Sequence, residues 1–297
     1  FVDTNIYLEL INNVKLTLRM KLKFFYIIIF LFTNAIIFSQ NVVQDISLSK
    51  LIDETSGLEI IDNQFITHND SGGDPKLYYL DKKGKIVFER ILNGAKNNDW
   101  EDITKDEEYL YVANMGNNLD NRKNLSIFKV PIDTSNDQVE VIEFNYPEQV
   151  KFITLEKSSQ YDAEGLITID ENLIIFTKNK LKKITEIYTL PKTAGTYEAK
   201  KIGSLNTQSI ITAADYDSKT KLLALTGSRS FKGDEYYILK IEDFDLEIKK
   251  DYKINMYEIP IGKTQVEAIK IIDSNTFWIT SEDEKSSASA RLMKIKL

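Results

Sequence analysis

Acidic residues recur along this chain in one repeated setting. Three segments share the pattern of two variable residues, an acid, a small residue and an aliphatic: Asp99-Trp100-Glu101-Asp102-Ile103, Asp162-Ala163-Glu164-Gly165-Leu166 and Gln265-Val266-Glu267-Ala268-Ile269. Weaker copies stand at Glu54-Thr55-Ser56-Gly57-Leu58 and Thr212-Ala213-Ala214-Asp215-Tyr216. In an extended segment, residues two apart point the same way. The first and third positions therefore project together, and if the copies converge, Asp99, Glu101, Asp162, Glu164, Glu267 and Glu54 crowd one place. Carboxylates held close repel, and either a bound cation or internal salt bridges to Lys178, Arg122 and Arg229 must relieve them. A hard divalent cation ringed by carboxylate and amide oxygens, calcium above all, suits such a donor set. Carboxylates left free could then act as acid or base toward water.

The elements needed to bring the copies together follow from their spacing, roughly 45–63 residues, close to the period of propeller blades. Behind each copy come runs rich in β-branched and aromatic residues, split by Gly, Asn, Asp and Lys turns. The first copy is followed by Gln64–His68, Lys76–Leu80 and Lys85–Leu92, and the third by Leu173–Thr177, Thr185–Leu190 and Tyr197–Ile202. Each unit supplies four strands, so the chain reads as an all-β propeller of four-stranded blades. The last unit lacks one strand, and one strand, Val42–Leu51, precedes the first unit. Pairing it into the last blade closes a five-bladed ring and removes an exposed edge. A sixth blade would require strands hidden in Glu148–Gln160.

In such a blade the start of the first strand and the end of the second lie on the same face. The second-strand ends offer His68, Asn69 and Asp70, then Gly116 with Asn117 and Asn118, Lys178, Arg229 and Glu282. The expected metal ligands are Asn69, Asp99, Glu101, Asn117, Asp162, Glu164 and Glu267. Glu101, Glu164 and Glu267 are also the candidate catalytic acids or bases, and Lys178, Arg229 and His68 are the candidate substrate-holding groups. The competing readings are bland ones: acids that cap inner strands, tight turns at Asn69–Gly73 and Gly116–Asn118, a hydrogen-bonded structural His68, and Trp100 as packing between blades.

Composition narrows the setting. The net charge is −7 with a single histidine and no cysteine, which argues against a nucleic-acid partner, a histidine-rich zinc site and a disulfide framework. Met20, Lys21 and Lys23 precede an apolar block at Phe24–Phe32, and Thr33, Asn34 and then Ala35–Ser39 follow as a cleavage region, the pattern of a secretory signal peptide. Residues 1–19 read as upstream sequence, 20–39 as the signal and 40–297 as one exported propeller domain. That domain is expected to lack a transmembrane helix and to be monomeric, in the periplasm, at the cell surface or outside the cell.

Several motifs in order, Asn69-Asp70-Ser71-Gly72-Gly73, Asp99-Trp100-Glu101-Asp102, Gly116-Asn117-Asn118 with Arg122, Asp162-Ala163-Glu164 and Gln265-Val266-Glu267-Ala268, resemble a family of exported bacterial β-propeller proteins. The chain is similar, more distantly, to the esterase-like phytase and gluconolactonase or paraoxonase propellers. That resemblance implies calcium on the propeller axis. Two functions follow as expectations. One is a metal-dependent hydrolase of a small ester, lactone or phosphoester; the other is a non-catalytic propeller with a structural cation whose loops bind a small molecule or glycan.

Overall fold

The computed structural model describes residues 40–230, 235–248, 252–262, 264–282 and 289–297. The upstream and signal segments assigned from sequence lie outside them. Strand β1 (Asn41–Ser47) comes first. Blade I contains β2 (Thr55–Ile61), β3 (Gln64–Asn69), β4 (Lys76–Leu80) and β5 (Ile86–Ile91). Blade II follows with β6 (Asp102–Lys105), β7 (Tyr109–Asn114), β8 (Leu125–Pro131) and β9 (Glu140–Asn145). The next segment holds β10 (Ala163–Ile169), β11 (Asn172–Thr177), β12 (Thr185–Pro191), β13 (Gly195–Glu198) and β14 (Lys200–Leu205). Blade IV is β15 (Ile210–Asp217), β16 (Leu222–Ser228), β17 (Tyr236–Ile241) and β18 (Ile254–Glu258), and β19 (Val266–Asp273), β20 (Thr276–Ser281) and β21 (Arg291–Lys296) begin blade V.

Five four-stranded antiparallel blades result, and β1 completes the fifth by pairing with β21 from Asn41 opposite Lys296 to Ser47 opposite Arg291. The ring is closed as its strand count requires. Glu148–Gln160 holds a 3-10 turn at Glu156–Ser158 and no strand, so there is no sixth blade. One expected strand divides in two: within Tyr197–Ile202, β13 runs parallel to β9 of blade II, while β14 is the outer strand of blade III. Ala199 between them is buried and its N–H donates to the Asn145 carbonyl, 2.9 Å away. The chain thus straps blade III to blade II before finishing its own sheet.

Burial explains the strand patterns. Inner strands pack against other blades on both faces, so β16 is buried throughout and β10 nearly so, whereas the outer β5 is mostly exposed. Five apolar clusters fill the five interfaces between neighbouring blades. Trp100, fully buried, lies between blades I and II with its ring 5.4 Å from His68 and 5.8 Å from Phe128. Its indole N–H donates to the Lys96 carbonyl at 3.0 Å, which makes it packing, as the bland reading holds.

Candidate functional site

A single backbone bond repeats at the mouth and explains who faces it. The N–H just past the second strand donates to the carbonyl of the first residue of the repeated segment: Asp70 to Glu54 at 2.8 Å, Lys178 to Asp162 at 2.6 Å and Glu282 to Gln265 at 3.0 Å. In blade II the equivalent donor is Gly116, to Asp99 at 3.2 Å. Its lack of a side chain is required, because a Cβ there would collide with the carboxylates of Glu101 and Asp99. Asp70, Lys178 and Glu282 line the mouth, and the space over Gly116 is taken by Asp99 and Glu101 of the same blade's own repeated segment.

The third positions of the repeated segments form the inner ring. Glu164 and Glu267 each sit at a β-bulge, between Ala163 and Gly165 and between Val266 and Ala268. Blade IV has the same bulge between Ile211 and Ala213, so Thr212 is the counterpart of those glutamates. The sequence alignment of Thr212–Tyr216 is thereby corrected by two residues to Ile210–Ala214. This copy has no acid at the third position in either register, and only the ladder distinguishes them. Blades I and IV carry hydroxyls in the ring in place of acids, and these tie neighbours together: Ser56 Oγ donates to the Glu101 carbonyl and Thr212 Oγ1 to the Val266 carbonyl, both at 2.6 Å.

The resulting cavity, about 580 Å³, is lined by Glu54, Asp70, Glu101, Glu164, Glu267 and Glu282, with Lys178, Lys180 and Asn118, and on the blade IV side by Ile210, Thr212 and Tyr236. Asp99 and Asp162 stand beside it. Carboxylate oxygens of Asp70, Asp99 and Glu101 lie within 4.8 Å of one another, as do those of Glu101, Asp162 and Glu164. Glu101 belongs to both groups. The second group is already met by cations, Lys178 against Glu164 and Lys180 at 2.9 Å from Asp162. In the first group Arg122 comes only to 4.0 Å from Asp99, and it is occupied by the carbonyls of Gly116 at 2.6 Å and Asn114 at 3.2 Å. Asp70 Oδ1 is buried with no hydrogen-bond partner.

The electrostatics follow from burial plus crowding. Burial, then Asp99, Glu164 and Glu282, push Asp70 up to about 8, with its proton shared toward Asp99. Burial first, and Glu54 and Glu164 after it, carry Glu282 up to about 7 against a hydrogen bond from Gln265. Glu101 is raised well above the carboxylate range by burial, Glu164 and Asp70, and Glu267 by burial and Glu164. Burial opposes charge on Lys178, but Glu164, Glu267, Asp162 and Glu101 outweigh it and hold the ammonium charged. Three hard-oxygen acids with an unpaired buried oxygen fit a divalent cation.

The remaining sequence candidates are placed elsewhere. Asn69 turns its amide to the Leu51 carbonyl at 2.9 Å, and Asn117 Oδ1 accepts from the Arg122 N–H at 2.9 Å while its own N–H donates to Asp162 at 2.7 Å. Their neighbours Asp70 and Asn118, in the turns past β3 and β7, line the cavity instead. His68 is fully buried, its Nδ1 3.2 Å from the Asn69 carbonyl, and burial lowers it to about 4. Arg229 lies over the Tyr237 ring at 4.9 Å, exposed and outside the cavity wall.

Sequence reasoning missed a second axial group. Toward the opposite face, Lys270 bridges Glu59 at 2.7 Å and Asp215 at 2.8 Å, joining blades V, I and IV. Between the two levels, the buried Asp102 carboxylate accepts N–H bonds from Ile103 and Leu166 at 2.8 Å and from Ala214 at 3.4 Å. The ends of the axis are thus chemically distinct.

No protein-family model matches the chain, and no curated protein does. Among solved structures, it is similar to the PQQ-bound aldose sugar dehydrogenase from Streptomyces coelicolor at 10% identity and a TM-score of 0.48, covering 87% of this chain and 98% of that one. A quinoprotein alcohol dehydrogenase-like protein from Bacteroides thetaiotaomicron matches at 14% identity, TM-score 0.36, over 70% of this chain and 46% of that chain. A chain of the mitotic checkpoint complex matches at 11% identity, TM-score 0.39, over 81% and 60%.

Proposed function

We propose that this is an exported propeller that binds a divalent cation, calcium, in its acidic mouth and presents it to a small ligand bearing an ester, lactone or phosphoester group. The observation that carries the reading is the Asp70–Asp99–Glu101 group, whose oxygens converge within 4.8 Å while Asp70 Oδ1 has no partner. These three residues would hold the ion. A cation held there supplies Lewis-acid polarisation of a substrate oxygen. Lys178, charged and facing the cavity, suits an anionic group of the ligand. Glu267, whose pKa is raised by burial and by Glu164, faces the cavity and suits proton exchange with water or a leaving group. Export rests on the Lys21–Ser39 pattern.

A non-catalytic binding propeller is the second reading. It is favoured by the Lys178–Glu164 and Lys180–Asp162 pairs, which already neutralise two of the acids at the mouth. Thermal melts in chelator and in calcium test the cation. Wild type should gain stability in calcium, because a ligand bound only by the folded state stabilises it. Asp70→Asn should lose most of that gain and Glu101→Gln all of it. No calcium response in wild type removes the cation site. Calcium-dependent turnover of a lactone, ester or phosphoester panel selects the hydrolase, and calcium binding without turnover selects the binding module.

A further inference from the structure

The mouth has one asymmetric wall. The long connection between blades II and III carries Val150, Ile153 and Leu155 at 85%, 78% and 77% exposure, and neighbouring loops add Leu181 at 64% and Leu119 at 45%. Large aliphatic side chains so fully in water are unusual in a cluster. Backbone bonds hold the connection in place: Thr154 N–H to the Leu119 carbonyl at 2.9 Å, Ser158 to Leu155 at 2.7 Å, and Lys180 to Ser159 at 3.0 Å. Three loops are therefore pinned into one crest, and its aliphatic groups are presented to solvent by ordered backbone. Glu156 and Lys157 of the same connection line the cavity, so the crest stands on the rim of the mouth.

Charge identifies what this crest suits. Lys123, Lys151, Lys157 and Lys182 are exposed on it, against Glu148 and Glu156, in a chain whose net charge is −7. Lys123 also lies 4.6 Å over the Phe152 ring, keeping its charge beside the apolar tips. Projecting aliphatic tips interleaved with lysines match an interfacial membrane anchor, in which apolar groups enter the headgroup boundary and cations meet anionic lipid. A protein partner would be served better by a concave apolar pocket, which side chains this exposed do not form.

We propose that the crest formed by Leu119, Val150, Ile153, Leu155 and Leu181 with its surrounding lysines docks on an anionic lipid bilayer, holding the acidic mouth at the headgroup layer. This surface is independent of the cation reading. The chain contains no cysteine, so one introduced thiol can be labelled cleanly. Ile153→Cys carrying an environment-sensitive fluorophore should shift to the blue on vesicles of phosphatidylcholine with phosphatidylglycerol, and less on phosphatidylcholine alone or in high salt. The same label at Lys219→Cys, in the β15–β16 turn on the opposite face, should not respond. In the unlabelled chain, Ile153→Ser with Leu155→Ser should weaken vesicle partition by on the order of tenfold or more. The same variant should keep the wild-type calcium response in melts, which separates failure of the crest from failure of the cation site. No shift at position 153, equal shifts at both positions, or a shift at 153 that grows with protein concentration without lipid would each overturn the proposal, the last by placing a second copy of the chain on the crest.

Discussion

At the scale of single residues, the mouth is governed by carboxyl groups that burial and mutual repulsion hold protonated. A carboxyl whose folded pKa is raised contributes stability present in full below its unfolded value near 4 and lost as pH rises through the folded value. For Asp70 and Glu282 that loss runs up through about 7 to 8. His68 acts oppositely, since it is buried neutral, and its contribution is lost as pH falls from about 6.5 through about 4. Above pH 6.5 only the carboxyls are left in play. Melting temperature in chelator should therefore fall by several degrees between pH 6.5 and 9, while saturating calcium flattens the slope by compensating the ionised acids. Asp70→Asn should flatten it in chelator alone. A melting temperature independent of pH in chelator would contradict the crowding of these acids.

At the scale of elements, the ring depends on β1. Its removal leaves β21 as an open edge beside buried Leu292, Met293 and Ile295. Deleting residues 40–47 should cost roughly 3 kcal/mol or more, seen as a drop of about 6–12 °C in melting temperature, with aggregation by light scattering. An unchanged melt would mean that closure is made elsewhere. Strand β13 is a second tie between blades and had no equivalent in the repeat pattern. Of its four residues, Gly195–Glu198, Tyr197 and Glu198 read as the start of an ordinary outer strand, and only contact with β9 gives them a different sheet.

Across the whole molecule, the axis carries opposite solutions to the same problem. At the mouth the Asp70–Asp99–Glu101 group is met only by Arg122, 4.0 Å from Asp99; at the far end Lys270 bridges Glu59 and Asp215 within 2.8 Å. Burial opposes charge on Lys270, but the two acids outweigh it and raise its pKa, while burial raises Glu59. Lys270→Met leaves two buried acids without their cation and should cost about 3–5 kcal/mol in denaturant titrations. Adding Glu59→Gln and Asp215→Asn should recover much of the loss. If Lys270→Met alone is neutral, the triad does not hold blades I, IV and V together.

The amino-acid sequence alone determined the period, the strand content and the closure by an amino-terminal strand. Those depend on local pattern and on counting, because each blade repeats the same run of β-branched and aromatic residues between turns. It also marked Glu101, Glu164 and Glu267, since the acid recurs at one place in each segment. Tertiary structure decided which neighbours join them. Asp70 and Asn118 replace Asn69 and Asn117 in the cavity because they lie in the turns just past β3 and β7, where no strand period fixes which way a side chain faces. Thr212 takes the place given to Ala214 because this copy has no acid to mark its register, and only the bulge it shares with the Glu164 and Glu267 copies aligns it. Lys270, Glu59 and Asp215 lie far apart along the chain, and only closing the ring brings their charges to one axis.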